Sequence, residues 1–399
     1  KKHHVYFSFD PSLAGSKRSA CCFIMHCLIC SCILLPGMAL ANIPSAAQAF
    51  CKTAKAAEKK HLSMSIFECA GCGTIQYQGP KVPYYKDVIR SAKFSTEMLK
   101  FRQNQFRDFL SSASRRIDSV FELGAGEGEY LDIFKSLGCI TAGIENSAEL
   151  VAICQKKGHE VVGGFLGDRN SQYYSNKRKF DCAVSFNFIE HLPDPKASLL
   201  NLANSLASDA LGLFEVPNFD LIDRNKLFSE FIPDHRFYFR EETFKTLLSV
   251  SGFEVHSIKK VWNNYILSAE VSKRKPISWM GYQQARRDLK LSIEKFFEGT
   301  SKNENVVWSA GHQSLATISN LQLSKNICYV IDSSKDKQTK FCPGSGLEVV
   351  APSVLKSKSI KKVLVMAAGY NHEIIKKIRD DFQNDLLVAF VHQGKLVYD

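Results

Sequence analysis

The segment Glu122-Leu123-Gly124-Ala125-Gly126-Glu127-Gly128 places three glycines at alternate positions, after an apolar run and before an amphipathic one. Glycines so spaced let the backbone turn sharply and approach a ligand closely. The spacing is G-x-G-x-G, not the dinucleotide G-x-G-x-x-G. Glu145 ends the next apolar run, where a carboxylate can accept hydrogen bonds from both hydroxyls of a ribose. A later run begins near Asp181 and leaves through Phe186-Asn187-Phe188-Ile189-Glu190-His191-Leu192-Pro193. A glycine loop alone is an ordinary strand-to-helix turn. Loop, acidic strand end and fourth-strand segment in this order describe a nucleoside site at the carboxyl edge of an open α/β sheet.

The cysteines suggest a second kind of chemistry. Of 13, eight lie in the first 72 residues. An odd total clustered at one end does not read as a secreted disulfide framework. Cys27-Leu-Ile-Cys30 and Cys69-Ala-Gly-Cys72 are two C-x-x-C knuckles, the arrangement that aims four thiolates at tetrahedral zinc. Four thiolates leave no open position, so such a site is structural. The gap between the knuckles is wider than in a zinc ribbon, but loop closure costs grow only logarithmically with length. Cys32 and Cys22 are the substitutes if the quartet differs, and buried small hydrophobes are the bland alternative.

A rival reading covers Ala20 to Ala41, an almost wholly apolar stretch preceded by Lys17 and Arg18 and ending in Ala39-Leu40-Ala41. Those features fit a secretory signal or a marginal membrane span. Five cysteines, His26 and Pro36-Gly37 inside the stretch speak against it, and cleavage at Ala41 would discard Cys27 and Cys30. We therefore expect a cytoplasmic protein without a membrane segment. The net charge is +12, of which the first 60 residues supply +6 (eight basic, two acidic). No dense basic face is implied, so nucleic acid is not an expected partner, while an anionic substrate is compatible.

The elements that would position these groups follow from periodicity. Residues 1–20 read as a basic tail, 21–80 as the cysteine-rich module, 81–272 as the core, 273–300 as a linker helix and 301–399 as a second α/β domain. The spacing predicts a helix from Tyr84 to about Leu110, with Phe94, Met98, Phe101, Gln105 and Phe109 near one stripe that Leu99 and Phe106 widen. Strands over 117–123, 140–145, 161–165, 180–186 and 211–216 alternate with helices over 129–137, 148–157 and 197–206. A helix over 241–250 and strands over 253–259 and 265–271, an antiparallel edge pair, close the core. Such alternation means a mostly parallel, doubly wound sheet. The fold class is α/β: a Rossmann-like core, a small N-terminal module and a second Rossmann-like domain with strands near 306–308, 327–331, 362–366 and 386–390.

This constellation resembles the class I S-adenosylmethionine-dependent methyltransferases over about residues 115–271. The wider arrangement is similar to the sugar C-methyltransferases of deoxysugar biosynthesis, which join a zinc module, a methyltransferase core and a Rossmann-like C-terminal domain. The segments that carry the likeness include Asn42 to Phe50, Phe67 to Gln76, Glu215-Val-Pro-Asn-Phe219, Asp234-His235-Arg-Phe-Tyr-Phe239, Ala310-Gly311-His312-Gln313, and Val330-Ile-Asp332 followed by Pro343-Gly344. The resemblance implies S-adenosylmethionine contacts at Glu122, Gly124, Ala125, Gly126, Gly128, Glu145, Asn146, Asn187 and His191, and structural zinc on Cys27, Cys30, Cys69 and Cys72.

It further implies methyl transfer to a carbon beside a ketone on a nucleotide-linked sugar. Such a C–H yields only to a close base with the enolate stabilised. His235 is the expected base, its ordinary pKa of about 6.5 suiting proton removal near neutrality. The family has two histidines flanking a glutamate at this point, whereas this chain reads Pro233-Asp234-His235. Asp234 stands for the acid, and Tyr84 or Tyr85 for a substrate-site tyrosine. His191 is expected to shape the cofactor pocket or a helix start rather than act as a base, and Ser309 to His312 to hold the nucleotide or serve only as scaffold. Tyr370 to Glu373 could contact substrate, with Asn371 as a helix cap the simpler account. An oxygen or nitrogen acceptor, a non-catalytic scaffold, and a monomer or dimer stay open.

Overall fold

The structure, a computed structural model, describes residues 25–45, 50–79, 95–166, 178–357, 359–382 and 385–399. Tyr84, Tyr85, Phe94, Cys22 and the basic tail lie outside the described residues. The chain divides into two compact units, Lys1–Lys275 and Pro276–Asp399.

In the first unit, β1 (Leu34–Pro44), β2 (His61–Cys69) and β3 (Ile75–Tyr77) pair antiparallel in that order. The core follows as β4 (Ser119–Leu123), β5 (Ile140–Glu145), β6 (Glu160–Gly163), β7 (Phe180–Phe186), β8 (Leu206–Pro217), the two-residue β9 (Phe237–Tyr238), β10 (Phe253–Val261) and β11 (Ile266–Lys273). Strand β9 joins the first sheet, pairing antiparallel with β3. The cysteine-rich module is therefore not a separate body, because two core residues complete its sheet. The stretch weighed above as a membrane span is in large part β1, with Leu35 and Met38 exposed. Its register shifts after Pro36, where a missing N–H is tolerated at an irregularity. Among the described residues no helix is long and apolar enough to cross a membrane.

The other strands form one sheet ordered β10-β11-β8-β7-β4-β5-β6. Pairings from β6 through β8 are parallel, and β11 runs antiparallel to both β8 and β10. All five residues of β4 are buried, as expected for a parallel strand covered on both faces. Helices α1 (Thr96–Ser112), α2 (Glu129–Ser136), α3 (Ala148–Lys156), α4 (Pro195–Asn204) and α5 (Glu241–Val250) accompany the sheet. The chain winds one way from β4 to β5 and the other way to β7, which opens a crevice at their carboxyl ends.

The buried residues of α1 are Arg102, Phe106 and Phe109, while Leu99 is exposed. The expected stripe holds at Phe106 and Phe109, with Met98, Phe101 and Gln105 half-buried, and differs at Leu99. Arg102 joins the core face through a buried ion pair: its Nη1 lies 2.5 Å from Glu215 Oε2 with both side chains at most 1% exposed. Gln105 donates to the other carboxylate oxygen at 2.5 Å. Arg102, a charged residue on the core face, is what the apolar pattern did not show.

The second unit holds β12 (Asn305–Trp308), β13 (Tyr329–Ile331), β14 (Glu348–Val350), β15 (Lys362–Val365), β16 (Leu387–His392) and β17 (Lys395–Tyr398), ordered β14-β13-β12-β15-β16-β17. Only β17 is antiparallel among these strands. The expected linker helix is instead α6 (Trp279–Phe297), whose Ile293, Phe296 and Phe297 join this unit's core. Asn371 does not cap a helix: its side chain accepts from Ala367 N and donates to the Val391 carbonyl, tying the ends of β15 and β16 together.

Candidate active site

The glycine loop leaves β4 with Gly124, Gly126 and Gly128 all at positive φ. At Gly124 a side chain is excluded twice over, because φ is +80° and a Cβ would lie 2.5 Å from the Phe188 ring. Phe188 reaches this point because Asn187, at φ +48°, turns the chain as it leaves β7. Asn tolerates that left-handed conformation better than most residues, and its N–H is held by the Glu215 carbonyl at 3.0 Å. Leu123, Ile144, Glu145, Asn146, Phe188 and Leu192 line a pocket beside the loop.

Glu145 is buried at the end of β5. Its carboxylate accepts from Gly126 N at 3.0 Å, Asn146 N at 2.7 Å and Ser147 N at 3.0 Å. A carboxylate has about four lone-pair positions, so Glu145 both fixes the glycine loop and retains acceptor capacity for a ribose hydroxyl. Glu122 and Ala125 are buried beneath the loop.

Beyond Asn187 the chain makes one 3₁₀ turn, Ile189–His191. The Glu190 carbonyl accepts from Arg236 N at 2.9 Å, which draws the 233–236 segment against this turn. His191 Nδ1 donates to the Asp234 carbonyl at 3.0 Å, leaving Nε2 with the lone pair. The His191 and His235 rings meet edge to face, 4.8 Å between centroids. Burial lowers the pKa of both, opposed at His191 by the Asp234 carbonyl and reinforced at His235 by His191. Both are neutral bases at physiological pH. Glu190 is buried, and among the described residues neither carboxylate oxygen has a hydrogen-bond partner beyond the influence of its own main-chain N–H; burial pushes its pKa up to about 8. One atom each of Glu190, His191 and His235 lies within 4.8 Å of the others.

Residues 98–258 match the methyltransferase-domain family, and residues 266–390 match the C-methyltransferase C-terminal domain family. The chain belongs to the class I S-adenosylmethionine-dependent methyltransferases. It resembles sugar C-methyltransferases within that class. C-methyltransferase NovU of Streptomyces niveus is 20% identical over 295 residues, 67% of this chain and 70% of that one. Among solved structures, an S-adenosylmethionine-dependent methyltransferase from Clostridium acetobutylicum is 13% identical with a TM-score of 0.37, covering 48% of this chain and 96% of that one. Magnesium protoporphyrin IX methyltransferase from Synechocystis is 15% identical with a TM-score of 0.36, covering 46% of this chain and 90% of that one.

In this methyltransferase the expected thiols do converge. Cys27 and Cys72 sulfurs are 3.7 Å apart, and Cys30 and Cys69 sulfurs 3.3 Å. Bonds of about 2.3 Å from a tetrahedral centre set neighbouring sulfurs about 3.8 Å apart, so the donor set and spacing fit zinc. Gln76 Nε2 donates to Cys27 Sγ, and Gly71 N and Cys72 N to Cys69 Sγ. Burial raises the Cys30 pKa, but the Cys32 N–H and the neighbouring thiols outweigh it and bring it to about 6, whereas burial raises the pKa of Cys27 and pushes that of Cys72 up to about 12.

His191 partners His235, while Leu192 and Phe188 line the pocket. Asp234 acts on His191 through its main-chain carbonyl and through its charge. In the second unit, Asp332 accepts from Ala310 N, Ser334 N and Lys337 Nζ, so the loop containing Ser309 to His312 is braced by its own chain. Glu190 was missed. It stood in the quoted segment, but a glutamate before a histidine in a polar stretch reads as solvated.

Proposed function

We propose that this methyltransferase methylates a carbon beside a ketone on a nucleotide-linked sugar. The observation that carries the reading is the pair of neutral imidazoles, His191 and His235, at the carboxyl end of β7 beside the nucleoside pocket. S-adenosylmethionine supplies the electrophilic methyl group when bound. Glu145 and the glycine loop hold the nucleoside. His235 removes the proton next to the ketone, and His191, fixed by the Asp234 carbonyl, completes the basic site that the loss of a histidine at Pro233 had seemed to deprive of a partner. A neutral imidazole beside the reacting carbon suits proton abstraction; an oxygen or nitrogen acceptor needs less of such a base. The likeness to C-methyltransferase NovU and the C-methyltransferase C-terminal family supports a carbon acceptor.

The four thiols would hold structural zinc in this reading. The described cysteines are all free, which suits a reducing compartment such as the cytoplasm. The test is incubation with methyl-labelled S-adenosylmethionine and a panel of nucleotide-linked keto-sugars. Label bound to carbon supports the reading, and label on oxygen or nitrogen contradicts it.

A further inference from the structure

Removing a proton from carbon leaves a positive charge on the base, and a buried pair of imidazoles tolerates that charge poorly unless an anion faces it. Two carboxylates bear on the rings: that of Asp234, whose charge also favours the His191 imidazolium, and that of Glu190, which is grouped with both rings and lies behind His191. Glu190 is 1% exposed, and its Oε1 is 3.8 Å from His191 Nε2. Apart from the pull of its own main-chain N–H, neither of its oxygens has a hydrogen-bond partner among the described residues. A buried polar group left unsatisfied is costly and calls for an explanation. The Nδ1 atom of His191 is committed to the Asp234 carbonyl, so Nε2 is the nitrogen through which this ring exchanges a proton. The other ionisable side chain that senses Glu190 is Tyr265, whose hydroxyl already donates to Glu230 at 2.6 Å. Arg236 meets Glu190 through its main-chain N–H.

We propose that Glu190 is a positioning residue for proton removal: its carboxylate faces His191 Nε2 and stabilises the imidazolium formed there during turnover. The substrate C–H bond breaks and its electron pair stays on the enolate. The proton goes to His235 and then to His191 Nε2, whose N–H donates to Glu190. This inference rests on the carbon-methylation reading. Burial of the carboxyl raises its pKa to about 8, so the ionised form grows as pH rises, and the rate rises with it.

The full-length Glu190→Gln variant tests this, with Glu190→Asp as the charge-retaining control. Histidine-selective NMR titration of the free proteins reads the coupling without substrate. The His191 signals are expected to show an inflection near pH 8 as the facing carboxyl ionises, lost in Glu190→Gln and retained in Glu190→Asp. Methyl transfer above pH 8 is expected to fall about 10- to 100-fold, the loss of one charge-assisted hydrogen bond. KM should stay within about twofold, and the basic limb of the pH profile should disappear. An unchanged His191 titration, or a wild-type limb in Glu190→Gln, would overturn the proposal. If the titration changes as expected but wild type methylates no keto-sugar at carbon, the carbon-methylation reading fails and the Glu190–His191 coupling stands.

Discussion

The edge of one imidazole in the His191–His235 pair meets the face of the other at 4.8 Å, although 44 positions separate them in the chain. Two short main-chain contacts bring them together: His191 Nδ1 to the Asp234 carbonyl, and Arg236 N to the Glu190 carbonyl. The His235 ring is thus placed by hydrogen bonds to main-chain carbonyls between the loop after β7 and the approach to β9. That approach is itself anchored to the cysteine-rich sheet through Tyr77 N and the Arg236 carbonyl, 2.9 Å apart. The cysteine-rich sheet and the histidine pair are linked in this way within the first unit.

Replacing Glu145 should act on the cofactor. Glu145→Ala removes the acceptor of three backbone N–H groups as well as the proposed ribose contact. Affinity for S-adenosylmethionine by calorimetry should fall at least about 10- to 100-fold, from charge-assisted bonds worth ~1.5–3 kcal/mol each.

Metal analysis should find one zinc per chain, about 2.3 Å from each of four sulfurs by X-ray absorption. Cys69→Ser with Cys72→Ser should lose the metal and lower the melting temperature. Turnover should fall too, because β2 and β3 carry β9 and with it the segment of His235.

The Arg102–Glu215 pair is buried on both sides, and breaking such a pair leaves an uncompensated charge. Arg102→Ala should destabilise the protein by about 3–5 kcal/mol in urea unfolding. Replacing both residues with apolar ones of similar volume should recover much of that loss.

Glu190 should be a stability liability. Its carboxyl keeps its proton up to about pH 8 when folded but only to 4.5 otherwise. The folded state therefore binds more protons between those values, and stability falls as pH rises across that window. Glu190→Gln should melt at a higher temperature than wild type at pH 8.5, with a smaller advantage at pH 5. Equal melting curves at both pH values would contradict this.

Much of this was legible in the sequence for physical reasons. Buried parallel strands read as unbroken apolar runs, and the Gly124 to Gly128 loop and Glu145 are dictated by backbone geometry and ribose chemistry. The quartet Cys27, Cys30, Cys69 and Cys72 followed from knuckle spacing. What escaped had no periodic signature. Strand β9 is two residues long, β14 is three, and β1 is interrupted by Pro36-Gly37. Arg102 on a core face and Glu190 without a partner both violate the rule that charges stay outside. Local rules fail in this way at functional or strained sites.

The central claim is that His235 takes a proton from carbon before the methyl group arrives. Its most direct test is solvent-deuterium exchange at the carbon beside the ketone, followed by NMR without S-adenosylmethionine, on the sugar nucleotide that the panel identifies. Wild type should exchange that proton, and His235→Ala should lose exchange by at least about 100-fold while binding S-adenosylmethionine as wild type does. Undiminished exchange in His235→Ala, or none in wild type on a substrate it methylates, would contradict the account.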